Sequence, residues 1–186
     1  MLILASASPR RQELLRSAGI PFTAQPADID ETPLDGEAPR DCAERLAREK
    51  ALAIFQHQAN NYVLGADTIV VLDHMVLGKP RDAGDAARML RRLSGRTHAV
   101  ITGVCLVGPA AFEKTASETT LVTMREISGD EIRGYVATGE PMDKAGAYAI
   151  QGIAARWIPR IEGDYANVVG LPVALVYAML RERGAI

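Results

Sequence analysis

The chain has 186 residues, which suits one domain or two closely joined lobes, and 48% of them are hydrophobic, enough for a real core. A net charge of −2 argues against an electrostatic nucleic-acid binder, although a small anionic ligand would need only a local basic cluster. The two cysteines, Cys42 and Cys105, lack metal-ligand spacing and are interpreted as reduced thiols. The apolar start is too short for a signal peptide and no stretch is long enough to span a membrane, so we expect a cytoplasmic protein.

The first elements in chain order are a short buried strand over residues 2–5, a tight loop and a helix. Ser8 can cap this helix, Pro9 fits its first turn and Gly19 is a good stop. A second strand is predicted over residues 22–26, before an acidic loop.

Helices and strands are mixed through the rest of the chain. A long helix is predicted over residues 39–57, with Asp41 and Glu44 as its capping pair. The later predicted elements are a strand over 63–72, a turn at 78–80, a helix over 82–93, paired strands over 98–107 and 113–124, a helix from the capping box Ser128–Glu131 to near Gly139, and a helix over 172–183. This order predicts an α/β fold with a mixed sheet and flanking helices.

The hydroxyl- and arginine-rich segment 6–11 lies between the first strand and the first helix. A helix N-terminus offers free N–H groups, and guanidinium groups beside it make a phosphate cradle. Taken alone, a capped helix with solvated arginines is the commoner interpretation.

Asp67 is an ionisable residue inside a strongly apolar strand. Burial of its charge there costs free energy unless the residue has a function or a partner. It could bind a metal or accept a proton from water, and Gly65 leaves room for something close to the backbone. An aspartate that caps a turn at the strand end is an equally good interpretation.

Three further patterns could carry chemistry. Lys79, in the turn at 78–80, could meet phosphate oxygens if the Asp67 strand folds back, although a turn lysine is commonly a surface residue. Acidic residues 28, 30 and 31 could hold Mg²⁺ or Mn²⁺ but are more often a solvated loop. Gln151, in the Gly-rich stretch 139–167, carries a donor and an acceptor and could read the edge of a base. No histidine zinc site, P-loop or dinucleotide fingerprint is present.

Taken together, these segments resemble the Maf family of nucleotide pyrophosphatases (septum formation proteins). The matching segments are ASASPRR (5–11), GADT (65–68), GKP (78–80), RTH (96–98) with TGV (102–104), GEP (139–141), and DKAGAY (143–148) through GDY (163–165) to NVVGLP (167–172). Each motif is weak alone, but six in the right order are specific. The resemblance implies one Maf-like domain over 1–186, with two lobes around a central cleft as in inosine triphosphate pyrophosphatases. It also implies a divalent cation (Mg²⁺ or Mn²⁺), hydrolysis between the α- and β-phosphates, and a homodimer.

The resemblance also assigns roles to residues. By this resemblance the catalytic residues are Asp67 as proton acceptor, Lys79 and Glu31; the substrate-binding residues are Ser8, Arg10, Arg11, Thr68 and Gln151; and the metal ligands are Glu31 and Asp67. Among the substrate-binding residues, Arg10, Thr68 and Gln151 match positions that set base preference. Segment 143–152 is similar to the branch acting on dTTP and UTP. Departures from that branch are Ala149, where it usually has Gly, and 153–157, where it usually has a Gly and a Phe.

We therefore predict a nucleoside triphosphate pyrophosphatase that hydrolyses dTTP and UTP, with modified pyrimidine nucleotides as further candidates. The alternative is a nucleotide-binding regulator of cell division and septum formation with little or no turnover. A nucleic-acid-binding domain is disfavoured by the acidic balance.

Overall fold

The structure is a computed structural model and describes residues 1–186. The α-helices are α1 (Pro9–Ser17), α2 (Pro39–Phe55), α3 (Ala83–Leu93), α4 (Gly129–Ala137), α5 (Tyr165–Val169) and α6 (Val173–Arg183). The strands are β1 (Leu2–Leu4), β2 (Thr23–Ala24), β3 (Tyr62–Leu72), β4 (Met75–Leu77), β5 (Thr97–Gly108), β6 (Phe112–Thr123) and β7 (Arg160–Glu162). Short 3₁₀ helices cover Glu140–Asp143, Ala145–Ala147 and Ile153–Trp157.

The strands form one mixed sheet in the order β2-β1-β3-β5-β6-β7, and β4 pairs with β3 outside this path. Strand β1 runs parallel to β2 and β3, with Ile3 opposite Val63. Strand β4 is antiparallel to β3, and β7 is antiparallel to β6. The prediction of an α/β fold with a mixed sheet and flanking helices is confirmed. None of the helices is long and apolar enough to cross a membrane.

The chain divides into two compact units. Unit 1 consists of residues 1–68, 102–118 and 170–186, and unit 2 of residues 69–101 and 119–169. The single domain over residues 1–186 and the central cleft stay predictions.

The core of unit 1 lies on both faces of its part of the sheet. On one face, Leu64 and Ala66 of β3 pack with buried residues of α1 and α6. On the other face, Val63 packs with the buried alanines of α2. Successive side chains of a strand point to opposite faces, so Asp67 lies on the α2 face and Thr68 on the α1 and α6 face.

Helix α2 lies directly on the sheet at two glycines. A Cβ at Gly65 would lie 2.0 Å from the Ala47 carbonyl oxygen, and one at Gly103 would lie 2.3 Å from the Ala43 carbonyl oxygen. The space predicted beside Gly65 is therefore filled by the backbone of α2. This contact brings the side chains of α2 within reach of β3.

Most of the local helix signals are confirmed. The Ser8 hydroxyl accepts a hydrogen bond from the Arg11 N–H at 3.5 Å, and the Ser128–Glu131 capping box is present. The capping pair predicted for α2 is wrong. Its N-cap is Ala38, without a side-chain bond, because the helix begins at Pro39 and so places Asp41 inside the first turn.

Strand β4 was not predicted. Asp73 and His74 both have positive φ, 48° and 66°, which makes the two-residue turn that joins β3 to β4. Aspartate tolerates this backbone conformation better than most residues, but Asp-His is a weak hairpin signal compared with Asp-Gly. The turn at residues 78–80 follows this hairpin.

Candidate functional site

The Arg11 guanidinium is the centre of a hydrogen-bond network at the start of α1. Its Nε donates to the Gly170 carbonyl oxygen at 2.8 Å, Nη1 to Ser6 Oγ at 3.2 Å and Nη2 to Thr68 Oγ1 at 3.0 Å. Ser6 Oγ also accepts a hydrogen bond from the Ser8 N–H at 3.2 Å. The planar guanidinium therefore ties the loop after β1 to β3 and to the turn before α6.

The Thr68 hydroxyl joins this network to β5. Thr68 Oγ1 lies 2.9 Å from Thr102 Oγ1 and 3.3 Å from the Gly170 carbonyl oxygen. Gly170 has φ +132°, a conformation that L-residues rarely adopt, and so its place requires glycine. Thr68 thus faces Arg11, while its neighbour Asp67 points to the opposite face of the strand.

On that opposite face, Lys50 of α2 bridges two carboxylates. Its Nζ lies 2.6 Å from Asp67 Oδ1 and 2.5 Å from Glu31 Oε1. Lys50 and Asp67 are only 7% and 8% exposed, whereas the Glu31 side chain is 46% exposed. Buried charges are costly unless they are paired, and here each buried charge has an opposite charge in contact. Asp67 therefore has a charged partner, and Lys50 links it to the more exposed Glu31.

Lys50 is a site residue that our sequence analysis missed. Its signal was its position on α2, where it lies among the buried residues Ala47, Ala51 and Ile54. A lysine on the apolar face of a helix is rarely buried without a charged partner.

The cations of the site in unit 1 lie close to its two carboxylates. Burial lowers the pKa of Arg11, and the nearby carboxylates Asp67 and Glu31 oppose this shift. Half-buried Arg10 lies next to Arg11 and adds a further positive charge. The two positive charges of Arg11 and Lys50 equal the two negative charges of Asp67 and Glu31. A phosphate ligand would therefore meet cations whose positions are already fixed, Lys50 by the carboxylates and Arg11 by the Gly170 carbonyl oxygen.

The donor set of unit 1 fits a divalent cation that arrives with phosphate. Glu31 and Asp67 each place an oxygen within 2.6 Å of one nitrogen, so the two carboxylates are near neighbours. Mg²⁺ is usually held by one or two protein carboxylates together with substrate phosphates. Glu31 and Asp67, which both contact the Lys50 ammonium, supply the two protein carboxylates that such a cation needs.

In unit 2, exposed Gln151 lies in a loop fixed by a tyrosine–glutamate pair. Tyr135 Oη donates to Glu140 Oε1 at 2.9 Å, and the Ile153 N–H donates to the same oxygen at 3.1 Å. On the other side of Gln151, the Ala149 N–H donates to Tyr135 Oη at 3.4 Å. The loop therefore has a defined conformation on both sides of its exposed amide.

The turn that carries Lys79 is also tied to this part of unit 2. The Gly146 N–H donates to the Gly78 carbonyl oxygen at 3.1 Å, and Lys79 is exposed. A Cβ on Gly146, which has φ +70°, would lie 3.0 Å from Val70 Cγ1, so the loop packs closely on β3.

The predicted site residues thus fall into three groups. Unit 1 joins Glu31 to Asp67 through Lys50, and it joins Ser8, Arg11 and Thr68 through shared hydrogen bonds, with Arg10 beside them. Unit 2 carries Lys79 and Gln151. Their roles in binding and catalysis stay predictions.

Two unpredicted residues complete the network in unit 1. Thr102 and Gly170 lie within segments that match the family motifs, but their sequence gives no signal of a contact with Thr68, because they reach it from 34 and 102 residues away.

The chain belongs to the Maf family, since the family model described as "Maf-like protein" matches residues 1–183. It is 59% identical over 185 residues to a protein named dTTP/UTP pyrophosphatase from Koribacter versatilis (strain Ellin345), covering 100% of this chain and 95% of the relative. It is 54% identical to a protein of the same name from Symbiobacterium thermophilum, covering 98% and 94%. Among solved structures, it is similar to the Staphylococcus aureus Ham1 protein at 13% identity and a TM-score of 0.49, over 98% of both chains.

Proposed function

We propose that this protein is a nucleoside triphosphate pyrophosphatase that hydrolyses dTTP and UTP to the monophosphate and pyrophosphate. The relatives at 59% and 54% identity, both named dTTP/UTP pyrophosphatase, support the reaction and the substrates. The observation that carries the chemistry is the buried Lys50 bridge between Asp67 and Glu31. It orients an aspartate inside an apolar strand, as a general base requires.

In this mechanism Asp67 accepts a proton from the attacking water. Lys50 holds Oδ1 of Asp67, so Oδ2 is the oxygen that we assign to the water. The water oxygen forms a bond to the α-phosphorus, the bond from the α-phosphorus to the α,β-bridging oxygen breaks, and pyrophosphate leaves with that oxygen. Arg11 and Arg10 would bind phosphate oxygens beside the N-terminus of α1, where Ser8 is the N-cap. Lys79 would bind phosphate as well.

A divalent cation, Mg²⁺ or Mn²⁺, belongs to the proposal. Glu31 and Asp67 would hold it, and it would neutralise charge that develops on the leaving pyrophosphate. A cytoplasmic location and a homodimer complete the proposal. Two buried free cysteines, Cys42 and Cys105, are in keeping with a reducing compartment.

The Asp67→Asn substitution tests this function. Asparagine keeps the shape of the side chain but cannot accept the proton, so kcat on UTP should fall by about 10²- to 10⁴-fold. The measurement is steady-state release of UMP and pyrophosphate with Mg²⁺, and circular dichroism would check the fold. Asp35→Asn, a change at an exposed aspartate in a turn, is the matched control. An unchanged kcat in folded Asp67→Asn would remove Asp67 from the mechanism.

Base selection is assigned to Gln151, with contributions from Thr68 and Arg10. Its exposed amide can donate to and accept from a pyrimidine edge. Gln151→Ala should therefore lower kcat/KM for dTTP and UTP more than for ATP, measured side by side. Equal losses with all three nucleotides would contradict the base-reading role.

A further inference from the structure

The Tyr135–Glu140 pair holds the segment 149–153 from both of its ends. Glu140 accepts hydrogen bonds from Tyr135 Oη and from the Ile153 N–H, and Tyr135 Oη accepts one from the Ala149 N–H. Gln151 is the central residue of that segment. One side-chain pair therefore fixes the backbone two residues before and two residues after it.

The carboxylate also occupies a space that a glycine keeps open. A Cβ at Gly152 would lie 2.0 Å from Glu140 Oε1 and 2.6 Å from its carboxyl carbon. Gly152 has φ −102°, which other residues adopt readily, so its requirement for glycine comes from the contact with Glu140. The backbone at Gly152 therefore rests directly against the carboxylate.

Tyr135 is itself held rigidly. It is 1% exposed, and its ring packs edge-to-face on Trp157 with centroids 5.2 Å apart. The Trp157 Nε1 in turn donates to Glu131 Oε1 at 3.1 Å. Burial and the bond to Glu140 raise the pKa of Tyr135, so its hydroxyl stays a donor at neutral pH. Tyr135 thus lies on α4 and packs against Trp157, which is tied to the start of the same helix through Glu131.

From this geometry we propose that Glu140 is a positioning residue for base selection, which sets the conformation of Gln151 together with Tyr135. This inference rests on the proposed function and deepens it. Glu140 need not touch the nucleotide, because it acts through the two backbone N–H groups on either side of Gln151. An exposed amide discriminates between bases only if its donor and acceptor are held in one orientation. A mobile side chain can turn to pair with the donors and acceptors of either base.

The first test replaces Glu140. Glu140→Ala removes the acceptor of both hydrogen bonds, so the ratio of kcat/KM for UTP to that for ATP should fall about tenfold, mainly through a higher KM for UTP. Glu140→Gln keeps one carbonyl oxygen for Tyr135 and Ile153 and should restore most of the ratio. Glu162→Ala, a change at an exposed carboxylate of β7, is the matched control and should leave the ratio as it is.

A second test leaves Glu140 in place. Gly152→Ala drives a methyl group into the carboxylate and should lower the ratio as Glu140→Ala does. In the double variant the methyl group finds the space vacated by the carboxylate, so the two effects should not add. Additive losses would contradict direct contact as the mechanism.

The conformation of the loop gives a readout that is independent of turnover. In Glu140→Ala, hydrogen exchange of the Ala149 and Ile153 amides should accelerate, while amides of α3 keep their protection. Tyr135→Phe, which keeps the ring but removes the hydroxyl, should give the same pattern, with Tyr165→Phe at an exposed tyrosine as control. If Glu140→Ala does not fold, Tyr135→Phe and its control Tyr165→Phe test the positioning role in its place.

The outcomes separate this inference from the proposed function. If the wild-type protein hydrolyses no nucleotide, the proposed function fails, and the ratio is then measured as Kd values for α,β-methylene-UTP and α,β-methylene-ATP. A ratio that is unchanged in folded Glu140→Ala, or equal losses on UTP and ATP, overturns the positioning role in either case.

Discussion

At the scale of single residues, Lys50 compensates two carboxylates that are drawn together by the fold of unit 1. Replacing it by Met keeps the aliphatic stem but leaves buried Asp67 without the counter-charge that contacts it. We expect a loss of about 3 kcal/mol in the free energy of unfolding, together with the loss of UTP hydrolysis. Urea titration measures the first effect. The control is Lys114→Met. Lys114 pairs with Glu182 at the surface, so this change should lower the free energy of unfolding by less than about 1 kcal/mol. Equal stability of the two variants would contradict this role for Lys50.

His98 provides a second prediction at this scale, in unit 2. Its Nε2 lies 2.7 Å from Tyr148 Oη, and burial lowers the pKa of His98 to about 4. The unfolded chain, with a histidine pKa near 6.5, binds more protons than the folded chain between these values. The contribution of neutral His98 to the free energy of unfolding is therefore fully present above pH 6.5 and is lost as the pH falls toward 4. At pH 5 the free energy of unfolding should be lower by about 2 kcal/mol.

The measurement for His98 is the free energy of unfolding in urea at pH 7.5 and pH 5, for the wild type and for His98→Gln. The glutamine variant should be less stable at pH 7.5 but should lose less between the two pH values. His57→Gln, at an exposed histidine, should keep the pH dependence of the wild type. A wild-type dependence in His98→Gln would assign the effect to other groups.

At the scale of elements, the contact of α2 with the sheet decides where Lys50 lies. Gly65→Ala would place a methyl group 2.0 Å from the Ala47 carbonyl oxygen, so α2 must move away from β3. We expect a loss of about 1 to 3 kcal/mol in stability and a fall in kcat, because the Lys50–Asp67 contact is disturbed. Thermal unfolding and UTP hydrolysis measure the two effects.

Gly134→Ala is the matched control for this element. It lies in α4 with no atom within 4 Å of its added Cβ, so the change should stabilise the protein by up to about 1 kcal/mol. If Gly65→Ala were equally harmless, close packing of α2 could not be the reason for glycine on β3.

The sequence was sufficient for features that depend on neighbouring residues. The Ser8 cap and the Ser128–Glu131 capping box were predicted because their hydrogen bonds join residues three apart. The Lys50–Asp67 pair could not be predicted in this way, because it forms only once α2 packs on β3. The same holds for Glu140, whose motif was recognised but whose bond to Ile153 crosses 13 residues of irregular chain.

At the scale of the whole molecule, the chain of 186 residues belongs to the Maf family over residues 1–183. Unit 1 carries cations suited to phosphate and two neighbouring carboxylates, and unit 2 carries a hydrogen-bonded loop with an exposed amide. These two capacities match the two demands of the proposed reaction, cleavage of a phosphoanhydride and choice of a base.

The most direct test of the pyrophosphatase function is hydrolysis of dTTP, UTP, CTP, ATP and 7-methyl-GTP with Mg²⁺ or Mn²⁺ in ¹⁸O-labelled water. We predict monophosphate and pyrophosphate as the products, fastest with dTTP and UTP. The label should appear in the monophosphate, because pyrophosphate is the leaving group. Release of orthophosphate and a nucleoside diphosphate would contradict the proposed cleavage. Binding of nucleotides without any turnover would contradict the enzyme and favour a regulatory nucleotide-binding protein.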